Sequence, residues 1–371
     1  MNGNFRIVGR RPCSSFYSRG LTLAGSARSL LTFFTAVLAA TASAHPILVP
    51  VPTQTMADRV LESDTLLLAR EDPQEPFRYA PVGKLKGEIG SKPIDLFMPS
   101  QVRRRLASDP ELTVLLWRRG RGKSWQTLGF ASEDYLQVVQ RILSFAGEWT
   151  PNETDNLQRL QEFAPLLGHE DVRLHELAYL EIGRATYASI RSVGTGVSMK
   201  RVRAMLDNPI FYQWRGLDIM LMGLSESERD HARVLKTIEQ KQRLATDLNL
   251  AAWATAYLEI TGTAGIDQLV EWYFRDERRS RGELNAISRA LAGHANEAPE
   301  LIEPVVAAYR IMLANHPSAA PDIAHDLIAW QRWDLADKLS ELRPELTRSD
   351  PLGMYKVNLY LRQAAAHSRA K

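Results

Sequence analysis

The chain has 371 residues, of which 46 are basic and 43 acidic, and its single cysteine is Cys13. The first 44 positions hold five arginines and no acid, so the other 327 residues carry 41 basic and 43 acidic side chains. This near balance excludes the strongly basic footprint of a nucleic-acid-binding domain. Without cysteine beyond position 44, that part has no disulfide or thiol nucleophile and must be stabilised by its own core.

The first 44 residues have the pattern of an export signal. The five arginines precede an apolar run at 30–44, LLTFFTAVLAATASA, in which Ala42 and Ala44 flank Ser43 as a signal peptidase requires. The apolar core of this run is too short for a permanent membrane-spanning helix. The sequence predicts cleavage after Ala44, a periplasmic or secreted location and no transmembrane helix after cleavage, with an uncleaved anchor as the alternative.

Residues 45–130 are predicted to form a small β domain. Short apolar runs bounded by turn residues predict strands at 65–70, 77–79, 93–98, 112–117 and 125–130. Between the last two, Gly120 and Gly122 supply the positive φ angles of a tight hairpin. The hairpin is rich in cations that either contact an anionic surface or keep the sheet edge soluble: Arg118, Arg119, Arg121 and Lys123.

The segments ADRVLESDTLLLAR (57–70), VGKLKGE (82–88) and LTVLLW (112–117) resemble the small β-barrel domains of the OB or netrin-like type. The resemblance implies a β-barrel-like domain over 45–130. The amino-terminal cysteine of netrin-like inhibitors is missing, so the resemblance implies no inhibitory function.

From Ser132 onward the apolar residues follow a helical period. The segment 131–154 is predicted to be a linking helix capped by Ser132. Further helix starts are predicted at TPNE (150–153), with Thr150 as the cap, at Asn208-Pro209, and at SESE (225–228), where Ser225 and Glu228 have the spacing of a capping box.

The pentapeptide AYLEI occurs at 178–182 and again at 256–260. Gly183, Gly223 and Gly262 close three helical segments 40 and 39 residues apart, and Gly293 follows after 31. Residues 155–371 therefore resemble HEAT-repeat α-solenoids, with the two AYLEI segments as corresponding helices two repeats apart. The predicted fold is an α+β multidomain protein, a small β-barrel-like domain followed by an all-α HEAT-like superhelical solenoid whose last helix acts as a cap.

No GxSxG elbow, P-loop or GxGxxG motif is present, and no cofactor is expected. In HEDVRLHE (169–176), His169 and His175 lie six residues apart and point in different directions on a helix, so His169 is predicted in a turn and His175 on the surface or in a groove. A metal-dependent hydrolase using His169, Glu170 and His175 is the alternative, and His45 would offer a copper-binding amino terminus after cleavage. The two AYLEI carboxylates, Glu181 and Glu259, are predicted to be too far apart to share a proton, and pairing with a nearby basic group such as Arg184, or a hydrogen bond to the adjacent repeat, is expected instead.

Aromatic residues in the helical part either fill its core or provide a partner surface: Trp214, Trp253, Tyr257 and Trp272. The predicted function is non-catalytic: an exported binding or scaffold protein that uses the solenoid surface to recognise a protein or peptide partner in the cell envelope. A third hypothesis makes the β domain a membrane- or wall-proximal adaptor that uses residues 118–123.

Overall fold

The computed structural model describes residues 54–89, 93–120, 122–194 and 197–370, and all of them belong to one compact unit. The predicted signal at 1–44, its cleavage position at Ala44, and His45 lie outside the described residues, as does Arg121.

The first part of the described chain is a curled five-stranded antiparallel sheet, in which every predicted strand is found. The strand order is β3-β2-β1-β4-β5, with β1 Thr65–Glu71, β2 Arg78–Lys86, β3 Ile94–Phe97, β4 Thr113–Arg118 and β5 Gln126–Ala131. The central strand is buried on both faces, which explains its unbroken apolar run. Leu66 packs into the core that also contains the helices, whereas Leu67 packs into a second core within the sheet.

Two short helices within the β part were not predicted from the sequence. Helix α1 (Met56–Glu62) precedes the sheet, and its capping box joins Thr55 to Asp58. Helix α2 (Ser100–Ser108) lies between β3 and β4 and buries Leu106 in the sheet core. The predicted hairpin between β4 and β5 is confirmed, since Gly120 and Gly122 have φ angles of +85° and +89°.

The rest of the chain is helical, as the change of period predicts. Helix α3 (Glu133–Ser144) is capped by Ser132, whose hydroxyl accepts a hydrogen bond from the Tyr135 N–H. The α-helices that follow are α4 Leu157–Phe163, α5 Val172–Gly183, α6 Tyr187–Gly194, α7 Met199–Leu206, α8 Arg215–Gly223, α9 Glu228–Leu244, α10 Leu250–Thr261, α11 Thr263–Leu269, α12 Arg281–Glu297, α13 Ile302–Asn315, α14 Ala320–Ala329, α15 Ala336–Glu341, α16 Arg343–Ser349 and α17 Pro351–Ala370.

Several predicted helix ends are wrong. The TPNE segment is not a helix start, because Asn152 adopts a φ of +63° and α4 begins only at Leu157 with Asn156 as its cap. Helix α9 is capped by Ser227 instead of Ser225. The charged segment at 275–283 includes the start of α12 and buries Arg279 beside Glu283 at 3.0 Å.

The AYLEI helices occupy a row of mutually packed helices. Helix α8 packs on α10, α10 on α12, α12 on α14 and α14 on α17. Helix α5 meets α8 through the Tyr179 hydroxyl, which donates to Asp218 at 2.5 Å. Gly223 allows the close approach of α8 to α10, because an added Cβ there would lie 2.6 Å from the Cα of Ala256.

Candidate partner-binding groove

A groove of about 360 Å³ lies between α3 and the segment that joins α4 to α5. One wall is the face of α3, on which helical spacing aligns Asp134, Gln137, Val138 and Arg141. The lining residues from the other elements are Trp149, Glu162, Phe163, Leu166, His169 and Leu174, and Ile142 of α3 also contributes. Its volume falls in the range of small-ligand and side-chain pockets.

Two pairs of ionisable side chains bridge the groove. The Arg141 guanidinium donates to both carboxylate oxygens of Glu162, at 2.6 and 3.0 Å. The Nε2 atom of His169 lies 3.8 Å from a carboxylate oxygen of Asp134. Asp134 and Arg141 are two helical turns apart, so about 10 Å of apolar floor separates the two bridges.

The Arg141–Glu162 bridge is charged over the physiological pH range. Hydrogen bonding from Arg141 lowers the pKa of Glu162 below its ordinary value, although partial burial of the carboxylate opposes the shift. The Arg141 guanidinium also lies 4.6 Å from the centre of the Phe145 ring. These contacts orient one cation at the mouth of the groove.

The structure separates the two histidines of HEDVRLHE. His169 lies in the predicted turn, where its Nδ1 accepts a hydrogen bond from the Asp171 N–H at 3.0 Å. The prediction that His175 lies on the surface or in a groove is wrong, because His175 is buried between the rings of Tyr179 and Phe211, each 4.6 Å away. Its helix is buried on most sides by neighbouring helices, which the spacing of two histidines did not reveal.

The environment of His175 favours the neutral imidazole. Burial lowers its pKa, and the nearby His169 lowers it further. Its Nδ1 accepts a hydrogen bond from the Gly168 N–H at 2.9 Å. Among the described residues, no group of three or more His, Cys, Asp and Glu side chains is arranged to hold a metal ion.

The aromatic residues considered for partner contact lie mainly inside the helical core. Trp214, Trp253 and Tyr257 are buried, and the partly buried Trp272 packs 5.9 Å from the Tyr257 ring. In the described structure these side chains fill space between helices, which is the core-packing alternative left open by the sequence.

The described cations of the β4–β5 hairpin contact other parts of the protein. The Arg118 guanidinium lies 4.5 Å from the Trp125 ring centre, and Arg119 pairs with Glu62 at 2.9 Å. The carboxylate of Asp64 accepts a hydrogen bond from the Gly120 N–H. Lys123 is exposed. Two of these cations therefore stabilise the hairpin itself.

A buried ionic cluster joins α1, α4 and α5, and the sequence predicted only part of it. Arg159 of α4 donates to Asp58 at 2.7 Å and to Glu181 at 2.9 and 3.0 Å. Arg184 donates to Asp58 at 2.6 Å and to Glu181 at 2.8 Å, so the predicted pairing of Glu181 with Arg184 is confirmed. The hydroxyl of Thr55 also donates to Glu181.

This cluster fixes α1 to α4 and α5. Burial by itself would raise the pKa of Asp58, but hydrogen bonds from Arg184, Arg159 and the backbone N–H groups of Thr55 and Asn152 hold it well below its ordinary value. The Asp58 carboxylate is thus charged, and the two carboxylates of the cluster face two guanidinium groups. The Glu181–Arg184 pair, three residues apart, could be predicted from the sequence, whereas Asp58 pairs with arginines about a hundred residues away.

The second AYLEI carboxylate has a different set of partners. Glu259 pairs with Arg191 at 2.7 Å, accepts a hydrogen bond from the Tyr187 hydroxyl and lies 3.9 Å from Nδ1 of His294. Each repeated glutamate therefore has its own arginine and hydroxyl partners.

Comparison of the chain with protein-family models, with curated proteins and with solved structures gives no match. No helix in the described part of the chain is long and apolar enough to cross a membrane.

Proposed function

We propose that this protein is an exported, non-catalytic binding or scaffold protein of the cell envelope, which recognises a protein or peptide partner through the groove between α3 and α5. The groove is the observation that carries this proposal. It combines an apolar floor with charged side chains at both bridges, a composition that suits an apolar anchor residue flanked by polar ones.

The bridges also define how a partner would enter. A carboxylate of the partner would compete with Glu162 for Arg141, and a cation of the partner would pair with Asp134 or Glu162. Because Arg141 and Asp134 are solvent-exposed, exchanging an exposed ion pair for a partner's charge costs little free energy. The apolar floor would supply most of the affinity and the two bridges the orientation.

We further propose that the helical part is a HEAT-type solenoid, that the sheet is an OB-like barrel and that the two are separate domains. The row of packed helices from α8 to α17 supports the first idea. Five antiparallel strands with a helix between β3 and β4 support the second. In this view the solenoid holds the groove rigid.

The proposal can be tested by photo-crosslinking in intact cells. A photoreactive amino acid is placed at Gln137, which is exposed and lines the groove, and, as the matched control, at Gln140, which is exposed on the same helix but does not line it. We expect a discrete crosslinked partner from position 137 and none from position 140. Equal crosslinking from both positions, or none from either, contradicts groove recognition. Amino-terminal sequencing of the envelope fraction should begin at His45.

A metal-dependent hydrolase is the competing proposal, and the observation that favours it is the His169 imidazole 3.8 Å from the Asp134 carboxylate at the groove, since histidine and carboxylate side chains are common metal ligands. Metal analysis of the purified protein separates the two. One equivalent of tightly held zinc or copper, lost together with hydrolytic activity in the His169→Ala variant, would replace the binding proposal.

A further inference from the structure

The face of helix α17 that is turned away from its neighbours is apolar. Leu352, Tyr355 and Leu359 are 86%, 69% and 39% exposed. Their spacing of three and four residues places them along one stripe. The opposite face, which includes Met354, Val357 and Tyr360, is buried. Contiguous exposed apolar side chains commonly mark a surface that binds a partner or a membrane.

Cations flank the stripe on both sides. At 100° per residue, Lys356 lies on one side of the line through Leu352 and Leu359, and Arg362 and Arg369 lie on the other. All three cations are exposed. The helix contains no acidic residue, and Asp350 just before it pairs with Arg281 at 2.6 Å.

We infer that the outer face of α17 binds the surface of an anionic phospholipid membrane. A helix with an apolar stripe that has Lys356 on one side and Arg362 and Arg369 on the other matches an interface in which apolar side chains enter among the lipid chains and cations contact the phosphates. A second copy of the chain fits less well. Two such faces in contact would oppose cation to cation, with no acid on either helix to compensate.

This inference does not depend on the groove, which lies on α3 to α5 and uses none of these residues. It is also distinct from the hairpin at 118–123. Membrane attachment through α17 would hold the protein at the surface while the groove is free to bind its partner.

The test is co-sedimentation of the purified full chain with vesicles of phosphatidylcholine alone or mixed equally with phosphatidylglycerol, at low and at high salt. The apolar variant is Leu352→Ser/Tyr355→Ser/Leu359→Ser. Its matched control carries serine at three equally exposed apolar positions elsewhere, Ile210, Leu244 and Leu248. All variants share residues 1–53, so any membrane affinity of that segment is common to them.

A second pair of variants tests the charges: Lys356→Gln/Arg362→Gln against Lys200→Gln/Lys236→Gln, which removes two exposed cations elsewhere. Each cation near an anionic surface contributes about 1 kcal/mol, so losing two should weaken binding to the phosphatidylglycerol vesicles about thirtyfold. Unchanged thermal unfolding of each variant establishes that its fold is intact.

Binding that needs phosphatidylglycerol, weakens with salt and falls in both α17 variants but in neither control supports the inference. Equal binding by all variants overturns it, as does the absence of binding by the unmodified protein. Light scattering provides the remaining outcome. A dimer that the apolar α17 variant converts to monomer, with vesicle binding unchanged, would assign the face to a second copy of the chain and overturn the lipid proposal.

Discussion

Replacing Arg159 by methionine should destabilise the protein severely. The guanidinium is 1% exposed and donates to both buried carboxylates of the ionic cluster and to the carbonyl oxygen of Thr150. Methionine fills much of the same volume but carries no charge. The two carboxylates of Asp58 and Glu181 would then face Arg184 alone, and one negative charge would be left buried without compensation.

The expected loss in the free energy of unfolding is about 3–5 kcal/mol, the usual result of removing one partner from a buried ion pair. The double variant Arg159→Met/Glu181→Met restores the charge balance, because Asp58 and Arg184 remain paired at 2.6 Å. We expect it to recover part of the loss. That partial recovery separates a charge effect from a simple loss of packing.

The assay is urea unfolding followed by tryptophan fluorescence, which is suitable because Trp149 lies close to Arg159. Arg141→Met is the matched control: it also removes an arginine from an arginine–carboxylate pair, but one that is exposed and should contribute little to stability. The reasoning is refuted if the two single variants lose similar stability, or if the double variant loses the sum of its two single losses.

The same cluster predicts a dependence on acid. Because hydrogen bonds hold the folded-state pKa of Asp58 below its unfolded value, its contribution to stability is present above about pH 4 and is lost as the pH falls through the folded pKa. Asp58→Asn should therefore show a smaller loss of stability between neutral and strongly acidic pH than the unmodified protein. If the free energy of unfolding depends on pH in the same way in both proteins, the pKa of Asp58 does not differ between the folded and unfolded states.

Two further predictions concern the row of helices. Burial raises the pKa of Asp218 to about 7, although the hydrogen bond from Tyr179 opposes the shift. The contribution of Asp218 to the free energy of unfolding should therefore decrease as the pH rises from about 4 to 7. In Asp218→Asn this pH-dependent decrease, up to about 4 kcal/mol, should be absent from unfolding experiments at different pH. Gly223→Ala should lower the free energy of unfolding by about 1–3 kcal/mol, because the added Cβ would overlap Ala256. Gly183→Ala should be tolerated, because the atom nearest to its added Cβ is 3.7 Å away. Equal melting temperatures for the two variants would contradict the close approach of α8 to α10.

The strands could be predicted from the sequence because each is a short apolar run between turn residues, and the hairpin because only glycine adopts its φ angles without strain. The helices α1 and α2 could not. Each is shorter than ten residues, and α2, SQVRRRLAS, has too few apolar side chains to show a helical period. Their positions depend on packing against α3 and the sheet core, which local sequence does not encode.

The groove was only partly predictable. The apolar period of α3 predicted which face is buried, but the opposite wall comes from a turn whose path depends on Gly168, at a φ of +74°. His175 shows most clearly what could not be predicted from the sequence. Its polar side chain suggested exposure, yet the helices around it bury nearly every face of α5, and a buried neutral imidazole with one hydrogen bond is compatible with that position.

The repeated AYLEI segment explains why the groove lies where it does. In α5, Tyr179 donates to Asp218 and Glu181 joins the ionic cluster, whereas in α10 the corresponding Tyr257 packs on Trp272 and Glu259 binds α6. The repeat thus specifies a buried position in a row of helices, and the partners that give each copy its chemistry come from residues outside it. The helix of the first copy, α5, contributes to the groove because its neighbours α3 and α4 differ from those of the second copy, and their junction with α5 leaves an open site.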